Sequence, residues 1–459
     1  MTTSRCASIL IGLWVSATLG LAAAAQPQTV STPTGALTLE QAAELALGQN
    51  PVIEASESGK RVAKARLDEA RAARLPSLQF SETYTNSNNP VFVFGSLLEQ
   101  GKFGPQNFAI DSLNQPGSLS NFRSALNLRL PIFNRLQVET GVRKAELGRE
   151  SAKTMSESAR QAVRFALIQA YFGAQVAEAR LQVAQDAVAS TESQVKRIRN
   201  MREQGTVVAS DLLAMEVQLA DFRQQLIQAT GDVETAYSAL DTVMAGNLDH
   251  RPSLSTRLVD KDFSLPPSEE LYKQALASRP DYRQAELETE IRKQDIRATR
   301  GQYLPDLNLF ANFGQSSRDL SSGSADFAVG ASLTFNLVDF GRRARVREAV
   351  AASQAAEAER RRAGDGIRLE ITRAYQSYRA AEERVRVAAG AVDQAAEAFR
   401  IAQDRHGVGL TTVTEVLRSQ TALVRARMNL LGARYEKYVG YADTLLATGR
   451  LSDLNAFTR

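Results

Sequence analysis

Two hydrophobic periodicities alternate along the 459-residue chain. In two long regions apolar residues recur at three-four spacing, as in Val163, Leu167 and Ala170, which is typical of a helix with one buried stripe. In four short stretches apolar and polar residues alternate, as they do along residues 126–130, which is typical of strands with two different faces. The pattern therefore predicts a mainly α-helical protein with a small sheet.

The helical regions contain two exceptionally long stretches, residues 138–204 and 342–405, which are rich in Ala, Glu, Gln, Arg and Leu and have no proline. Since these residues favour helices and proline breaks them, the first stretch predicts one helix of about 100 Å. Each stretch ends at a turn with glycine and is followed by a second helical stretch. We therefore expect antiparallel helical hairpins at about 136–246 and 341–448.

The alternating stretches precede the two long helices in pairs. They cover about 77–88 and 119–132 in the first pair, and about 306–315 and 326–338 in the second. At about ten residues each, they match the length of a strand that crosses a membrane. The expected sheet has one face for lipid and one face for water.

The chain contains the same unit twice. The Leu-Pro-x-Leu sequences that begin at Leu75 and Leu304 are 229 residues apart, and the turn residues Gly205 and Gly409 are 204 residues apart. A repeat of this length indicates a duplicated fold unit rather than a short solenoid period. The expected boundaries are 26–246 for the first helix-strand-strand-helix-helix unit, 247–267 for a linker, 268–448 for the second unit and 449–459 for a C-terminal tail.

The two halves differ in one loop, in one long helix and in the second hairpin turn, which is described below. The offset is 229 residues at Leu304 but 205 residues between Leu128 and Leu333, which places 24 additional residues in the loop 86–118. Loops tolerate such insertions better than packed helices do. In the second long helix, the sequence Gly364-Asp365-Gly366 predicts a local break or bend.

The N-terminus has the features of a secretory signal peptide over residues 1–25. Arg5 precedes an apolar stretch at 9–21, which is followed by the small-residue run 22–25. The alternative of a membrane anchor is disfavoured because the apolar stretch is shorter than the ~20 residues of a membrane-spanning helix. The single cysteine, Cys6, lies in this segment, so we expect the exported chain to lack disulfides and cysteine nucleophiles.

Composition excludes several classes of function. The chain has 55 Lys and Arg against 51 Asp and Glu, spread along the helices, and this predicts no nucleic-acid partner. Its two histidines, His250 and His406, do not form a metal-ligand pattern. Because the sequence has no catalytic triad pattern and no phosphate loop, we expect no catalytic residues, no metal and no cofactor.

The strand starts at Leu75 and Leu304, the strand ends at 131–134 and 336–339, and the two hairpin turns follow one another at fixed offsets. This order resembles the TolC-type outer membrane factor family, also called outer membrane efflux proteins. The resemblance covers nearly the whole chain after the signal peptide. The individual motifs are unspecific, but their order at these offsets is highly specific.

The resemblance implies a trimeric fold. In the family, four strands per protomer join in a homotrimer as a 12-stranded outer membrane β-barrel, which a long α-helical tunnel continues through the periplasm. Four strands cannot close a membrane barrel alone, so their edges need other copies. The implied location is the outer membrane, in contact with its lipid and extending into the periplasm.

The implied function is that of a passive channel in a tripartite efflux or secretion system. Its partners would be a periplasmic adaptor (membrane fusion) protein and an inner membrane transporter of the RND, ABC or MFS type. The alternatives are an exported periplasmic adaptor and a coiled-coil scaffold protein. An adaptor should have a lipoyl-like or barrel β domain and one hairpin, and a scaffold leaves the alternating strands unexplained.

The resemblance also implies a periplasmic entrance that the hairpin turns close and acidic residues surround. Asp211 and Glu415 match acidic positions of this entrance. His406, Thr411 and Arg418 occupy positions at which the family pattern has a tyrosine, an arginine and a second aspartate. We therefore expect a weaker or differently connected lock and a less negative potential at the entrance.

Each of these residues also has a purely structural interpretation. Thr412 and Glu415 have the spacing of a capping box, in which the carboxylate serves only a backbone donor. Asp211 lies in the first turn of a helix, where it would stabilise the helix dipole. His406 fits a packing role better than a pH switch.

The two turns also match the family's adaptor-docking tips. The matching residues are Gly205, Thr206, Val207, Ser210, Val408, Gly409, Leu410 and Thr414. The alternative is that these are ordinary turn residues with small helix caps. Docking is favoured because an exposed Val-Val or Val-Gly-Leu turn is more apolar than a turn requires.

Overall fold

The computed structural model describes residues 36–246, 251–320, 323–452 and 454–458, and the predicted signal peptide lies outside these ranges. The first half contains α1 (Leu39–Gln49), α2 (Pro51–Ala72), β1 (Ser77–Ser87), α3 (Pro90–Glu99), a 3-10 helix (Pro105–Phe108), α4 (Ile110–Asn114), β2 (Leu119–Asn134), α5 (Gln137–Glu203) and α6 (Ala209–Met244). The second half contains α7 (Ser268–Ser278), α8 (Pro280–Gly301), β3 (Asp306–Ser317), β4 (Ser324–Thr334), α9 (Arg342–Gly407) and α10 (Val413–Ala447), followed by α11 (Asn455–Thr458).

The described elements repeat in the order that the sequence offsets predict. Helices α1 and α7 have 11 residues each, α2 and α8 have 22 each, and α5 and α9 have 67 and 66. Pro51 and Pro280 each occupy the first turn of a helix, where the missing N–H costs no hydrogen bond. The predicted duplication and the two helical hairpins are therefore present.

The long helices pack side by side rather than singly. Helix α5 pairs with α6, α9 pairs with α10, and α5 also contacts α10, which joins the two hairpins. Small buried residues on α5, such as Ala174, Ala177 and Ala184, let neighbouring helices approach closely. Within the described ranges, no helix has an apolar stretch of the length that a bilayer crossing requires.

The four strands form one antiparallel sheet in the order β1-β2-β3-β4. Residues that pair across the strands share a face, as in the row Phe80, Leu126, Phe313 and Phe327. Other large apolar residues on this apolar face include Leu78, Tyr84, Phe122, Leu128, Leu130, Leu307, Leu309, Val329 and Leu333. The opposite, polar face carries mainly polar side chains, among them Gln79, Thr83, Arg123, Asn127, Arg129, Asn308, Asn312, Ser316, Asp326 and Ser332. The sheet therefore has the two faces that the alternation predicts.

The last strand is shorter than expected, because β4 ends at Thr334 rather than near residue 338. Its partner strand begins at Asp306, which pairs with Thr334, and Pro305 precedes that residue. Residues 335–338 thus have no partner in β3 to pair with. Conversely, β2 continues to Asn134, beyond the expected 132, through a bulge between Pro131 and Phe133.

The predicted break at Gly364–Gly366 is wrong, since α9 continues through both glycines. A glycine inside a helix keeps its backbone hydrogen bonds and costs only about 1 kcal/mol relative to alanine. Gly364 faces α7 and α8, where an added Cβ would lie 3.7 Å from the Tyr272 hydroxyl and from the Tyr282 ring. A methyl group there would make ordinary van der Waals contacts, so Gly364 marks neither an interruption of the helix nor a position that only glycine can occupy.

The predicted linker and tail both contribute to the central core. Phe263 from the linker stacks on Tyr441 of α10 at a ring distance of 4.2 Å, and Phe457 from α11 is buried in the same cluster. The linker also supplies Asp260 and Asp262, which hold the almost fully buried ammonium of Lys437 at 3.1 and 3.3 Å. Burial of these aromatic rings ties the two repeats together.

Candidate functional site: the hairpin turns

The two hairpin turns have the same backbone geometry. Gly205 and Gly409 both have φ of +75°, in the left-handed region that favours glycine. Thr206 N–H donates to the Met201 carbonyl at 3.0 Å, and Leu410 N–H donates to the Arg405 carbonyl at 2.9 Å. Both helices therefore end in a Schellman motif, and the glycine of each motif is the feature that the repeat pattern predicted.

One apolar cluster stabilises both turns from beneath. Its buried residues come from α5 and α6, among them Ile198, Met215 and Phe222, and from the second hairpin through Val413. Slightly further from the turns, the Gln420 side chain donates to the Thr191 hydroxyl at 2.9 Å, and both residues are buried. The two tips therefore pack as one unit within a protomer.

His406 lies in the crevice between the hairpins. A small cavity of about 20 Å³ is lined there by His406, Arg197, Gln403 and Val416, with further residues of α5 and α6. His406 is half-buried, because α9 turns it towards α5 rather than towards solvent. A packing role for His406 stays a prediction.

Glu415 and Asp211 both lie in the first turn of the returning helix. The capping-box interpretation of Glu415 is wrong, because the Thr412 side chain makes no capping hydrogen bond. The Glu415 carboxylate instead accepts from Arg418 at 3.4 Å, on an exposed helix face. Asp211 is half-buried at the equivalent position of the first hairpin. Thr411, which lies in the turn of the second hairpin, is also half-buried.

Charge at the end of α9 is arranged in local pairs. Arg400 donates to Glu397 at 2.7 Å and to Asp404 at 2.8 Å. The hydrogen bonding of Arg400 to the Glu397 carboxylate holds the pKa of Glu397 below its usual value. Among the described residues, no cluster of three or more His, Cys, Asp or Glu side chains is placed to hold a metal ion.

The tip residues differ in how far they are accessible. Val408 and Leu410 are 71% and 75% exposed, and Thr206 is also exposed. Val207 is half-buried and packs onto the apolar cluster beneath. The remaining predicted tip residues, Gly205, Ser210, Gly409 and Thr414, are exposed. The most accessible apolar tip surface therefore belongs to the second hairpin.

Sequence reasoning missed the residues that connect the two hairpins. Thr191, Arg197, Gln403 and Gln420 lie on helix faces that look like ordinary polar surface in the sequence. Their position becomes evident only from the packing of α5 against α10.

Comparison with known families gives one match. The model of the family described as "Outer membrane efflux protein" matches residues 42–246 and 271–448, which is most of the chain. No curated protein matches the chain significantly in sequence.

Solved structures with the same fold are similar over most of their length. The CmeC outer membrane channel of Campylobacter jejuni has a TM-score of 0.75 at 18% identity, over 90% of this chain and 85% of that one. The outer membrane protein VceC of Vibrio cholerae has a TM-score of 0.74 at 19% identity, over 90% and 96%. The MtrE outer membrane channel of Neisseria gonorrhoeae has a TM-score of 0.72 at 18% identity, over 90% and 88%.

Proposed function

This chain belongs to the outer membrane efflux protein family, and from that premise we propose that three copies together form a passive exit duct with a continuous wall. The strands of the three copies would make a 12-stranded barrel in the outer membrane, and the helical hairpins would continue the duct through the periplasm. Transport energy would come from an inner membrane transporter, and a periplasmic adaptor would connect that transporter to the hairpin turns.

The sheet carries this proposal. Within the described residues, one edge of β1 and one edge of β4 have no strand partner, and large apolar side chains cover one exposed face. Unpaired strand edges are unfavourable in lipid, where no water satisfies the backbone. Pairing between β1 of one copy and β4 of the next would remove both edges at once, whereas a soluble adaptor or scaffold gives no role to the apolar face.

The assembly predicts an outer membrane trimer that withstands mild detergent. Outer membrane extracts should show a trimer band that converts to monomer on heating, because the barrel satisfies every strand edge. The measurement is electrophoresis of unheated and heated samples after membrane fractionation. A protein found only in the soluble periplasmic fraction would contradict the duct.

We further propose that Asp211 and Glu415 form the acidic part of the periplasmic entrance. Three copies would bring six carboxylates to one opening, where a low-dielectric wall focuses their field. Arg418, 3.4 Å from Glu415, would offset part of that charge. Thr411 and His406 would shape the lock through turn packing and through the crevice with α5.

Removing the two carboxylates should weaken cation block of the channel. In planar bilayers, the Asp211→Asn/Glu415→Gln variant should need a roughly tenfold higher concentration of a trivalent cation for half block. The matched variant Arg418→Ala should shift the block in the opposite direction, because it releases Glu415 from its ion pair. Equal block in all three proteins would show that these residues do not form the entrance ring.

A further inference from the structure

The loop between β1 and β2 is folded rather than irregular. Residues 88–118, here called the insert, form α3, the 3-10 helix and α4, and Phe103 packs edge-on against Phe94 and Phe108. The equivalent connection between β3 and β4 has only residues 318–323. Each protomer therefore carries one insert, at the end of the sheet opposite to the long helices.

The insert is attached to the polar face of the sheet. Glu99 accepts from Ser316 at 3.1 Å and pairs with Arg123 at 3.4 Å, and Arg123 also binds Asp326 at 3.0 and 3.1 Å. All three of these sheet residues belong to the polar face, as their register shows.

A second set of contacts gives the same placement. Gln100 donates to the Ser120 carbonyl at 3.0 Å and to the Asn121 side chain at 2.9 Å. An added Cβ on Gly101 would lie 3.7 Å from the Cβ of Ser324. Asn121 and Ser324 both belong to the polar face, so α3 crosses β2, β3 and β4 on that side.

Several large apolar side chains on the insert remain mostly exposed in the described part of the protomer. Val91, Phe108 and Ile110 are 82%, 66% and 74% exposed, and Leu98 is half exposed. The opposite face of the sheet is the one that lipid would cover, so lipid does not reach these side chains. Four large apolar side chains exposed on one small region indicate that this region contacts another protein surface.

We propose that the inserts of three copies pack against one another across the outer mouth of the duct and narrow it. This inference rests on the proposed duct, in which the polar sheet face surrounds the pore axis. The exposed apolar side chains of one insert are then covered by the same surface of the insert of a second copy. The Glu99–Arg123–Asp326 cluster holds each insert inside the mouth.

Single cysteines test the contact, because the chain's one natural cysteine, Cys6, lies in the predicted signal peptide. The variants Phe108→Cys and Ile110→Cys, oxidised in outer membranes or treated with a short bifunctional thiol reagent, should give disulfide-linked or cross-linked dimers. The control Phe327→Cys, 79% exposed on the apolar face, should give no dimer and should react with a lipid-soluble maleimide.

The double variant Gly101→Cys/Ser324→Cys tests the placement of the insert independently. The 3.7 Å between the two Cβ positions fits a disulfide, so oxidation should remove both thiols within one chain. A trimer band without dimers from Phe108→Cys and Ile110→Cys would overturn the packing of inserts and leave the duct intact. Absence of any trimer band would overturn the duct as well, and labelling of Ile110→Cys by the lipid-soluble maleimide would place the insert in lipid.

Discussion

Replacing Gly301 with alanine should prevent stable trimer formation. Gly301 ends α8, and an added Cβ would overlap the carbonyl oxygen of Arg135 in the connection from β2 to α5. Overlap with backbone cannot be relieved by a side-chain rotation, so one of the two segments must move. The expected cost is about 1–3 kcal/mol per protomer or more, and it falls on the joint between the sheet and the helices.

The connection itself has little freedom to adjust. Arg135 and Leu136 have φ of 58° and 63°, which is unusual for residues other than glycine. Gln137 donates to the Ala298 carbonyl of α8 at 2.9 Å, which holds the two segments together. A shift that accommodates alanine at position 301 would therefore disturb a strained turn and a hydrogen bond as well.

The matched control is Gly366→Ala in α9. Nothing lies within 4 Å of its added Cβ, so alanine should stabilise the continuous helix by up to about 1 kcal/mol. Thermal unfolding in detergent, followed by circular dichroism, and the heat-modifiable trimer band measure both variants. A Gly301→Ala protein with wild-type melting temperature and trimer yield would contradict the proposed overlap.

Replacing Leu410 with aspartate should abolish efflux while leaving the channel assembled. Leu410 is 75% exposed at the second turn, so its side chain contributes little to packing in the described part of the protomer. Burying a leucine against an adaptor contributes about 1.5–3 kcal/mol. Its replacement by a charge should therefore weaken adaptor binding roughly 10- to 100-fold, and cells should become as sensitive to exported compounds as cells without the channel.

Two control variants separate docking from turn geometry. Leu410→Met keeps the apolar contact and should retain efflux, because a flexible apolar side chain can occupy the same pocket. Leu410→Thr copies Thr206, the equivalent residue of the first turn, and leaves the Gly409 backbone unchanged. Binding of the purified trimer to its adaptor, measured by surface plasmon resonance, is the direct test. If Leu410→Asp binds as tightly as the wild type, adaptor docking does not use this turn.

The outline of the fold follows from local chemistry. Long proline-free regions rich in helix formers can only be long helices, and period-two alternation predicts a sheet with two faces. The constant offset between Gly205 and Gly409 predicted two equal turns, and both glycines have the same left-handed φ. Sequence reasoning worked at these places because each residue reports a backbone requirement that does not depend on distant partners.

The errors occur where side-chain contacts decide between two local patterns. Gly364 resembled a helix break, but α9 continues through it, with Tyr272 and Tyr282 of other helices beside it. Glu415 had the spacing of a capping box, yet its carboxylate pairs with Arg418. In both cases the local pattern fits two interpretations of similar energy, and contacts worth about 1 kcal/mol select one.

The sequence by itself determined the duplicated unit, the long helices and strands of each half and the family resemblance, since these depend on periodicity and on residues with special backbone preferences. Only the tertiary structure decided which residues join the two hairpins, such as Thr191 and Gln420, and on which face of the sheet the insert lies. Those contacts link residues separated by roughly 200 positions. Their partners depend on how whole helices and strands pack, and that packing produces no periodic pattern in the sequence.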